Sequence, residues 1–383
     1  MYTIPVEICA ARVRSPLVQL LLLMIDSTRT RVATSPRRFT ILFALVLALV
    51  AGTNGCVKKT VGVPPLLAPL ADAKTAELKA EINRLAAVRS IDGKVDIQFQ
   101  DTSFAETGIS EKYRTTDGTV IVQRPGQIYL TIQAPVVGSK FVEMTSDGER
   151  FRVAVLAPFP GGEKYRSFLR GTNSASYSMP NMDGDKAARV SDGKNRVVAE
   201  EHTVSVLSNV RPQHFTEALL INPVTTGADS RFIYAQSELY QEEQDTRPKA
   251  RKGGRVVRGY YLLDELAPGE AGAAQVIRRF WFDRFGGTHL ARLQTFDAGG
   301  VLATDVAFSD PKPFGEGGRI TLPSRVDVTR PREHYKLRLS YQAPEAIVLD
   351  KEFKPQAFVL ENSLNLREID LDARQNKRQT SSK

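Results

Sequence analysis

The sequence of 383 residues is poor in the residue types that most often carry chemistry: it has two cysteines, four histidines and one tryptophan. Cys9 and Cys56 precede all the patterned sequence, which excludes a disulfide framework or a cysteine-based metal site from the remainder. The histidines do not lie at metal-ligand spacing, no glycine-rich phosphate loop follows a strand, and no serine occupies a G-x-S-x-G turn. The chain is therefore predicted not to be an enzyme and to use no cofactor or metal.

One segment comes close to a calcium loop. Residues 181–192, NMDGDKAARVSD, have oxygen-bearing side chains at the first, third, fifth and twelfth positions. Lys186 stands where an EF-hand loop needs glycine, and Asp192 replaces the bidentate glutamate. An acidic surface hairpin explains this segment better than a calcium site.

Positive charge is not spread evenly along the chain. The formal net charge is +9, but residues 1–55 contain six arginines and only two acidic residues. The remaining chain is only modestly basic, so its charge does not indicate a nucleic-acid-binding surface. A hydrophobic content of 42% is too high for a mainly disordered protein.

The first 55 residues have the parts of a secretory signal peptide. Arg37 and Arg38 precede an apolar run over residues 39–51, which is followed by small residues. As a helix this run would be about 20 Å long, too short for the ~30 Å hydrocarbon core of a membrane. Residues 1–55 are predicted to be the signal peptide, and Met24 is a possible true start.

The residues around Cys56 resemble a bacterial lipobox, although Thr53 and Asn54 depart from the usual pattern. The resemblance implies that Cys56 carries acyl chains such as palmitate, and several chains would anchor the protein stably. Val57 in place of aspartate implies residence at the periplasmic face of the outer membrane. An ordinary secretory signal with an incidental cysteine is the alternative.

The rest of the chain reads as a tether, one domain and a tail. Residues 56–71 are proline-rich and predict the tether; residues 72–371 form the domain and residues 372–383 a polar, disordered tail. A helix is expected over residues 72–88, because Leu78, Ile82 and Leu85 form one apolar stripe, and a second helix over residues 212–221. Later strands are expected at about 231–240, 256–265, 275–284, 288–296, 301–309, 319–329, 334–342 and 346–360.

Alternating apolar residues indicate half-buried antiparallel strands. Hairpin turns are expected at Asp92-Gly93, Asp117-Gly118, Asp147-Gly148, Asp192-Gly193 and Gly299-Gly300, and a type II turn at Pro125-Gly126.

Two loops are candidates for contact with a membrane or a partner. Val136 and Val137 lie at a turn where polar residues are usual, so membrane contact, partner contact and burial under a neighbour all remain open. The basic segment over residues 245–255, DTRPKARKGGR, is either a solvated hairpin loop or a contact for anionic head groups or a partner.

Three segments follow one another in the sequence: a helix, then RSIDGKVDIQFQD, then GTVIVQRPGQIYLTIQAPVVGSKFVEMTSDGERFRV. In the order of these segments the sequence resembles the LolA/LolB-like bacterial lipoprotein-localisation family. Later segments, FWFDRFGGTHLARLQTFDAGGVLATDVAFSD and GGRITLPSRVDVTRP, are similar to the carrier-type half of the family. The resemblance covers most of residues 72–360 and implies a mainly β (α+β) fold, an unclosed antiparallel β-barrel with helices lidding an apolar cavity.

The resemblance also implies a function. The protein would bind acyl chains of lipoproteins or other lipids and help to localise lipoproteins to the outer membrane, with a periplasmic carrier as a possible partner and no nucleic acid. An interaction module with a self-filled barrel, docking on an envelope complex, is the first alternative, and an envelope hydrolase the second. The candidate cavity-lining residues, any of which could equally be ordinary core, are Val95, Ile97, Phe99, Ile128, Leu130, Ile132, Phe151 and Val153.

Overall fold

A computed structural model describes residues 63–102, 111–112, 115–133, 139–158, 162–175, 211–226, 231–247, 249–268 and 273–374. Residues from Pro64 onwards form one compact unit that contains every helix and strand described below. None of the helices in these residues has the length and apolar character needed to cross a membrane.

Within the described residues, two complete α-helices and sixteen strands belong to this unit. The helices are α1 (Thr75–Ala86) and α2 (Pro212–Leu219). The first strands are β1 (Ser90–Asp101), β2 (Glu111–Lys112), β3 (Thr116–Gln123), β4 (Gln127–Gln133), β5 (Lys140–Asp147), β6 (Arg150–Val155) and β7 (Ser167–Thr172). After α2 come β8 (Ile233–Gln244), β9 (Arg255–Pro268), β10 (Ala274–Asp283), β11 (His289–Phe296), β12 (Leu302–Phe314), β13 (Ile320–Arg330), β14 (Tyr335–Tyr341), β15 (Val348–Leu349) and β16 (Glu368–Asp370).

All sixteen strands belong to one sheet that does not close. Its order is β16-β7-β6-β5-β4-β3-β1-β14-β13-β12-β11-β10-β9-β8, with β2 and β15 paired to β1. Only the β16–β7 pair is parallel, and no hydrogen bonds join the edge strands β8 and β16 within the described residues. This confirms the prediction of an unclosed antiparallel sheet.

The sheet curves around its helices. α2 contacts β3, β4 and β5 and also β13, which lies five positions from β5 in the sheet. That separation would be about 24 Å in a flat sheet, whereas a helix of eight residues is only about 12 Å long. α1 contacts β8 and β11. Both helices therefore lie on the concave face.

The concave face holds the hydrophobic core. α1 buries the stripe Leu78, Ile82 and Leu85, as its spacing predicted, although the helix is shorter than residues 72–88. α2 contributes Phe215 and Ala218, each about 1% exposed. The core is continuous along the sheet, because inward-facing side chains from both the early and the late strands belong to one cluster.

Two of the expected hairpin turns are wrong, because their glycines lie inside strands. Gly93 is within β1 and Gly118 within β3. A Cβ on Gly118 would come within 2.6 Å of the Thr131 carbonyl oxygen on β4. Close approach of neighbouring strands, not turn geometry, accounts for this glycine.

The other turn predictions have mixed outcomes. Gly148 and Gly300 have positive φ, at 103° and 74°, which confirms those two turns. Gly126 does not have positive φ, so the expected type II turn is wrong. Asp192-Gly193 and the calcium-like segment at residues 181–192 lie outside the described residues.

The strand expected over residues 346–360 is also wrong. Only Val348–Leu349 pair, with Ile91 and Asp92 of β1. Asp350 then adopts a positive φ of 61°, and Pro355–Phe358 form a 3₁₀ turn. A left-handed residue and a proline interrupt strand pairing, and Phe358 is nevertheless fully buried.

The last residues of the expected tether contact the sheet. Leu66 forms a bridge with Val257 at the start of β9, and Leu70 forms one with Phe285. Leu67 is only 3% exposed. The folded unit therefore begins near Pro64, earlier than the residue 72 expected from the sequence.

Candidate functional site

The residues proposed to line a cavity all lie on the concave face and are all buried. The eight side chains are between 0% and 3% exposed, and those of β1 face their cross-strand partners on β14, as in the pair Ile97 and Leu339. They pack in the same cluster as Phe215 of α2. In this arrangement the side chains fill the space beneath α2. Val136 and Val137 lie outside the described residues.

An apolar cavity lies between the two helices and the late strands. Its volume is about 30 Å³. The helices contribute Leu85 from α1 and Ala218 from α2, and β12 and β13 supply the opposite wall. Its lining residues are Leu85, Val88, Ile91, Ala218, Leu219, Ile221, Phe308, Leu322, Pro323, Val326 and Tyr341.

A larger groove opens where β11 and β12 separate. Pairing of these strands extends only as far as Arg292 with Ala307, although β11 begins at His289 and β12 continues to Phe314. The groove has a volume of about 530 Å³ and a mixed polar and apolar lining. Its polar wall includes Arg258, Asp283 and Arg292, so the seam between the two strands gives solvent access to a charged surface.

The groove and the apolar cavity adjoin one another. Both are lined by the same five residues: Leu85, Ile221, Phe308, Leu322 and Pro323. The side chains of Leu85 and Phe308 are among the buried apolar residues of the core. A charged opening therefore leads to an apolar floor beneath the helices.

A strap follows α2 and holds it against α1. We define the strap as residues 220–226. Asn83 on α1 donates from Nδ2 to the Val224 carbonyl oxygen at 3.0 Å, and its Oδ1 accepts the Val224 N–H at 2.9 Å. Arg124 donates to the Ile221 carbonyl oxygen at 2.6 Å. These polar contacts fix the strap over the edge of the apolar cavity.

A buried ion pair supports the strap from the sheet. Glu265 on β9 is 1% exposed and pairs with Arg278 on β10, which also donates to the Asn222 carbonyl oxygen at 2.9 Å. Tyr234 donates to Glu265 at 2.7 Å. Burial and this carboxylate raise the pKa of Tyr234. The pair is satisfied on both sides, as a buried charge must be.

The charges that line the groove are also paired. Arg258 contacts Asp283, and Arg292 contacts Asp305 across neighbouring strands. Tyr260 donates to Glu243 at 2.7 Å, and burial, followed by this hydrogen bond, raises its pKa. The wall therefore offers hydrogen-bonding groups of both charges. No cluster of three or more metal-ligating side chains occurs in the part of the chain that the structure describes.

One polar contact is buried beneath α2. His214 Nδ1 lies 2.6 Å from the Tyr335 hydroxyl, and Tyr335 stacks on Phe99 with ring centroids 5.7 Å apart. Burial lowers the pKa of His214 well below its usual range, and the nearby cations Arg330 and Arg211 lower it further. His214 is therefore neutral in the folded protein at neutral pH.

The sequence indicated some of the groove and cavity residues without identifying them as a site. Leu85 belongs to the predicted α1 stripe, and Phe308 and Val326 lie in segments predicted as strands. The alternation of apolar residues in these strands, and the apolar stripe in α1, predicted that the three side chains face the core. The separation of β11 from β12 depends on tertiary pairing and has no signal in the local sequence.

Comparisons with known proteins give structural neighbours only. No protein-family model matches the chain, and no curated protein matches it. A LolA superfamily protein from Nitrosomonas europaea is similar over 75% of this chain and 99% of its own, with 10% identity and a TM-score of 0.35.

Two further solved structures are similar. A DUF1329 family protein from Desulfovibrio piger covers 76% of this chain and 96% of its own, with 14% identity and a TM-score of 0.37. An outer membrane lipoprotein-sorting protein domain from Vibrio parahaemolyticus covers 74% and 95%, with 10% identity and a TM-score of 0.33.

Proposed function

We propose that this protein binds acyl chains of lipoproteins or other lipids, without catalysis, in the apolar space beneath α1 and α2. The polar groove at the β11–β12 seam is the entrance. The observation that carries the proposal is that the charged groove and the apolar cavity share five lining residues. Lipidated Cys56 holds the protein at the periplasmic face of the outer membrane, where it aids lipoprotein localisation.

The two surfaces suit the two ends of an amphipathic ligand. Each buried CH₂ group contributes about 0.8 kcal/mol, so an acyl chain gains affinity from the apolar floor without polar recognition. Hydrogen-bonding groups such as Arg258 and Asp283 at the entrance face the polar end of the ligand. A periplasmic carrier that delivers lipoproteins is the partner that this function requires.

Binding requires the helices to move. The cavity of about 30 Å³ is much smaller than the about 300–1,000 Å³ of typical ligand sites. Displacing α2 and the strap would extend it along the concave face toward Ile128, Leu130 and Phe151. The cavity-lining roles proposed for the eight candidate residues belong to that open state, and Val136 and Val137 are proposed to contact the client or the bilayer.

A second function is favoured by the same small volume. A barrel filled by its own side chains serves as a rigid interaction module, and the burial of all eight candidate residues supports this alternative. The two functions differ in one measurable property, which is whether the concave face admits an acyl chain.

The test is titration of the chain from Val57 onwards with a fluorescent long-chain fatty acid. Ala218→Phe adds bulk to the cavity wall, where Ala218 is 1% exposed, and is expected to weaken binding by at least tenfold. Ala218→Val adds less bulk and is expected to weaken binding by a smaller factor. It replaces Ala218→Phe in the test if the phenylalanine variant does not fold. Ala154→Phe on β6, also buried but outside the cavity lining, is the matched control.

Saturable binding by the wild type that Ala218→Phe weakens and Ala154→Phe preserves supports the acyl-binding function. Absence of binding by the wild type favours the self-filled module. Wild-type affinity in a folded Ala218→Phe variant would place the acyl site elsewhere and contradict the proposal.

A further inference from the structure

The hairpin that joins β8 to β9 ends in a concentrated positive charge. Two of its arginines are neutralised locally, since Arg247 pairs with Asp245 at 2.8 Å and Arg255 pairs with Glu242. Lys249, Arg251 and Lys252 are exposed, and no acidic side chain lies within ion-pair distance of them among the described residues. We call these three residues the basic tip.

The basic tip lies beside the point where the chain enters the folded unit. Val257, only two residues after Arg255, donates to the Pro65 carbonyl oxygen and accepts from the Leu67 N–H, both at 2.9 Å. Pro65 follows Cys56 by nine positions, which span at most about 30 Å when the chain is fully extended. A membrane anchor at Cys56 therefore keeps this end of the sheet near the bilayer.

The groove opens at the same end of the sheet. Thr246, within the hairpin loop, is one of its lining residues, as are Gln241 and Glu243 near the end of β8. The end of β10 and the start of β11 also line the groove. The same end of the sheet therefore carries the basic tip, the point where the chain enters the folded unit and the opening of the groove.

We propose that the basic tip docks on the surface of an anionic phospholipid membrane and turns the groove mouth toward the bilayer. Three exposed cations complement the negative potential of such a surface, and each adds roughly fivefold to binding. The orientation of the groove rests on the proposed acyl-binding function and on the anchor at Cys56. The docking itself rests only on the charges of the tip.

The end of β4 and the start of β5, which flank Val136 and Val137 in the sequence, lie at the opposite end of the sheet. The flanking residues Gln133 and Lys140 pair with each other, whereas Gln127 at the other end of β4 pairs with Asp147. Successive antiparallel pairings place the start of β4 at the same end of the sheet as the start of β9. Docking through the basic tip therefore leaves Val136 and Val137 the contact with the client, and not the contact with the bilayer, of the two roles proposed for them.

The experiment is sedimentation of the unanchored chain from Val57 onwards with vesicles of phosphatidylcholine containing 30% phosphatidylglycerol. The triple variant Lys249→Gln/Arg251→Gln/Lys252→Gln is expected to bind about 100-fold more weakly than wild type. Lys94→Gln/Lys336→Gln/Lys354→Gln removes the same charge from exposed sites elsewhere and should bind within about threefold of wild type. Raising the salt concentration should abolish wild-type binding.

Equal losses in the two triple variants would overturn the proposal, because net charge alone would then explain binding. If Val136→Ser/Val137→Ser lost vesicle binding and the tip variant kept it, membrane docking would be assigned to the β4–β5 connection instead of the basic tip. Binding of the fluorescent fatty acid by the tip variant should equal that of wild type. That readout separates failure of docking from failure of acyl binding.

Discussion

The side-chain amide of Asn83 on α1 holds both backbone groups of Val224 in the strap, with hydrogen bonds of 3.0 and 2.9 Å. The donor and acceptor of the amide match the carbonyl and N–H of one residue, so the arrangement imitates a pair of strand hydrogen bonds. It connects α1 to the strap that follows α2, beside the apolar cavity. Movement of the strap must break this contact.

Asn83→Ala is expected to open the strap more often. Loss of both hydrogen bonds leaves the Val224 N–H and carbonyl without protein partners, at a cost of about 1–3 kcal/mol. Hydrogen exchange should show the Val224 amide losing protection by about tenfold or more, and the fluorescent fatty acid should associate faster.

Asn173→Ala provides the control. Its amide also donates to two groups, Ser146 Oγ and the Gly148 carbonyl oxygen, but at the β5–β6 turn. Unchanged exchange at Val224 in Asn83→Ala would mean that the other strap contacts suffice. Faster fatty-acid association in both variants would show a general loosening of the fold.

The His214–Tyr335 contact predicts a pH dependence of stability. The folded-state pKa of His214 is depressed by burial and then by Arg330 and Arg211, so the unfolded state takes up a proton first as the pH falls. The stabilisation is present above the unfolded pKa of about 6.5 and is lost below it, by about 1 kcal/mol between pH 7 and pH 5.5.

Urea denaturation at these two pH values measures the effect. His214→Gln keeps a hydrogen-bonding side chain but does not titrate, so its stability should change less between pH 7 and pH 5.5 than that of wild type. An equal change in both proteins would assign the pH dependence to other groups.

Gly118→Ala is expected to destabilise the sheet by about 1–3 kcal/mol. Its Cβ would lie 2.6 Å from the Thr131 carbonyl oxygen and 2.7 Å from Ile97 Cδ1, and the backbone of β4 cannot yield without loss of pairing. Gly126→Ala is the matched control, because the nearest atom is 3.6 Å away. Thermal unfolding of both variants tests the prediction, and similar melting temperatures would contradict it.

The period of the apolar pattern was enough to predict the class of fold. Alternation placed Ile97, Ile128 and Phe151 on one face, and the stripe containing Leu78 and Ile82 identified α1, because these patterns reflect burial directly. Glycine predicted turns less reliably. The pair Asp117-Gly118 has the same local sequence whether the glycine lies in a turn or, as here, in a strand that a neighbouring strand approaches closely.

The groove could not be predicted, because it depends on contacts between residues far apart in the sequence. Asn83 meets Val224 across 141 positions, and the groove forms where β11 and β12 cease to pair. Neither contact leaves a periodic pattern in either segment. The same holds for the entry of Pro65 beside Val257, which links the basic tip to the start of the folded unit.

Photocrosslinking with a long-chain fatty acid that carries a diazirine near its methyl end identifies the residues that contact a bound acyl chain. If an acyl chain binds beneath the helices, saturable adducts are expected on peptides containing Leu85, Ile221, Phe308 or Leu322, which line both the cavity and the groove. Unlabelled fatty acid should compete with their formation. Absence of saturable adducts, or adducts confined to peptides that line neither space, would contradict acyl binding beneath the helices.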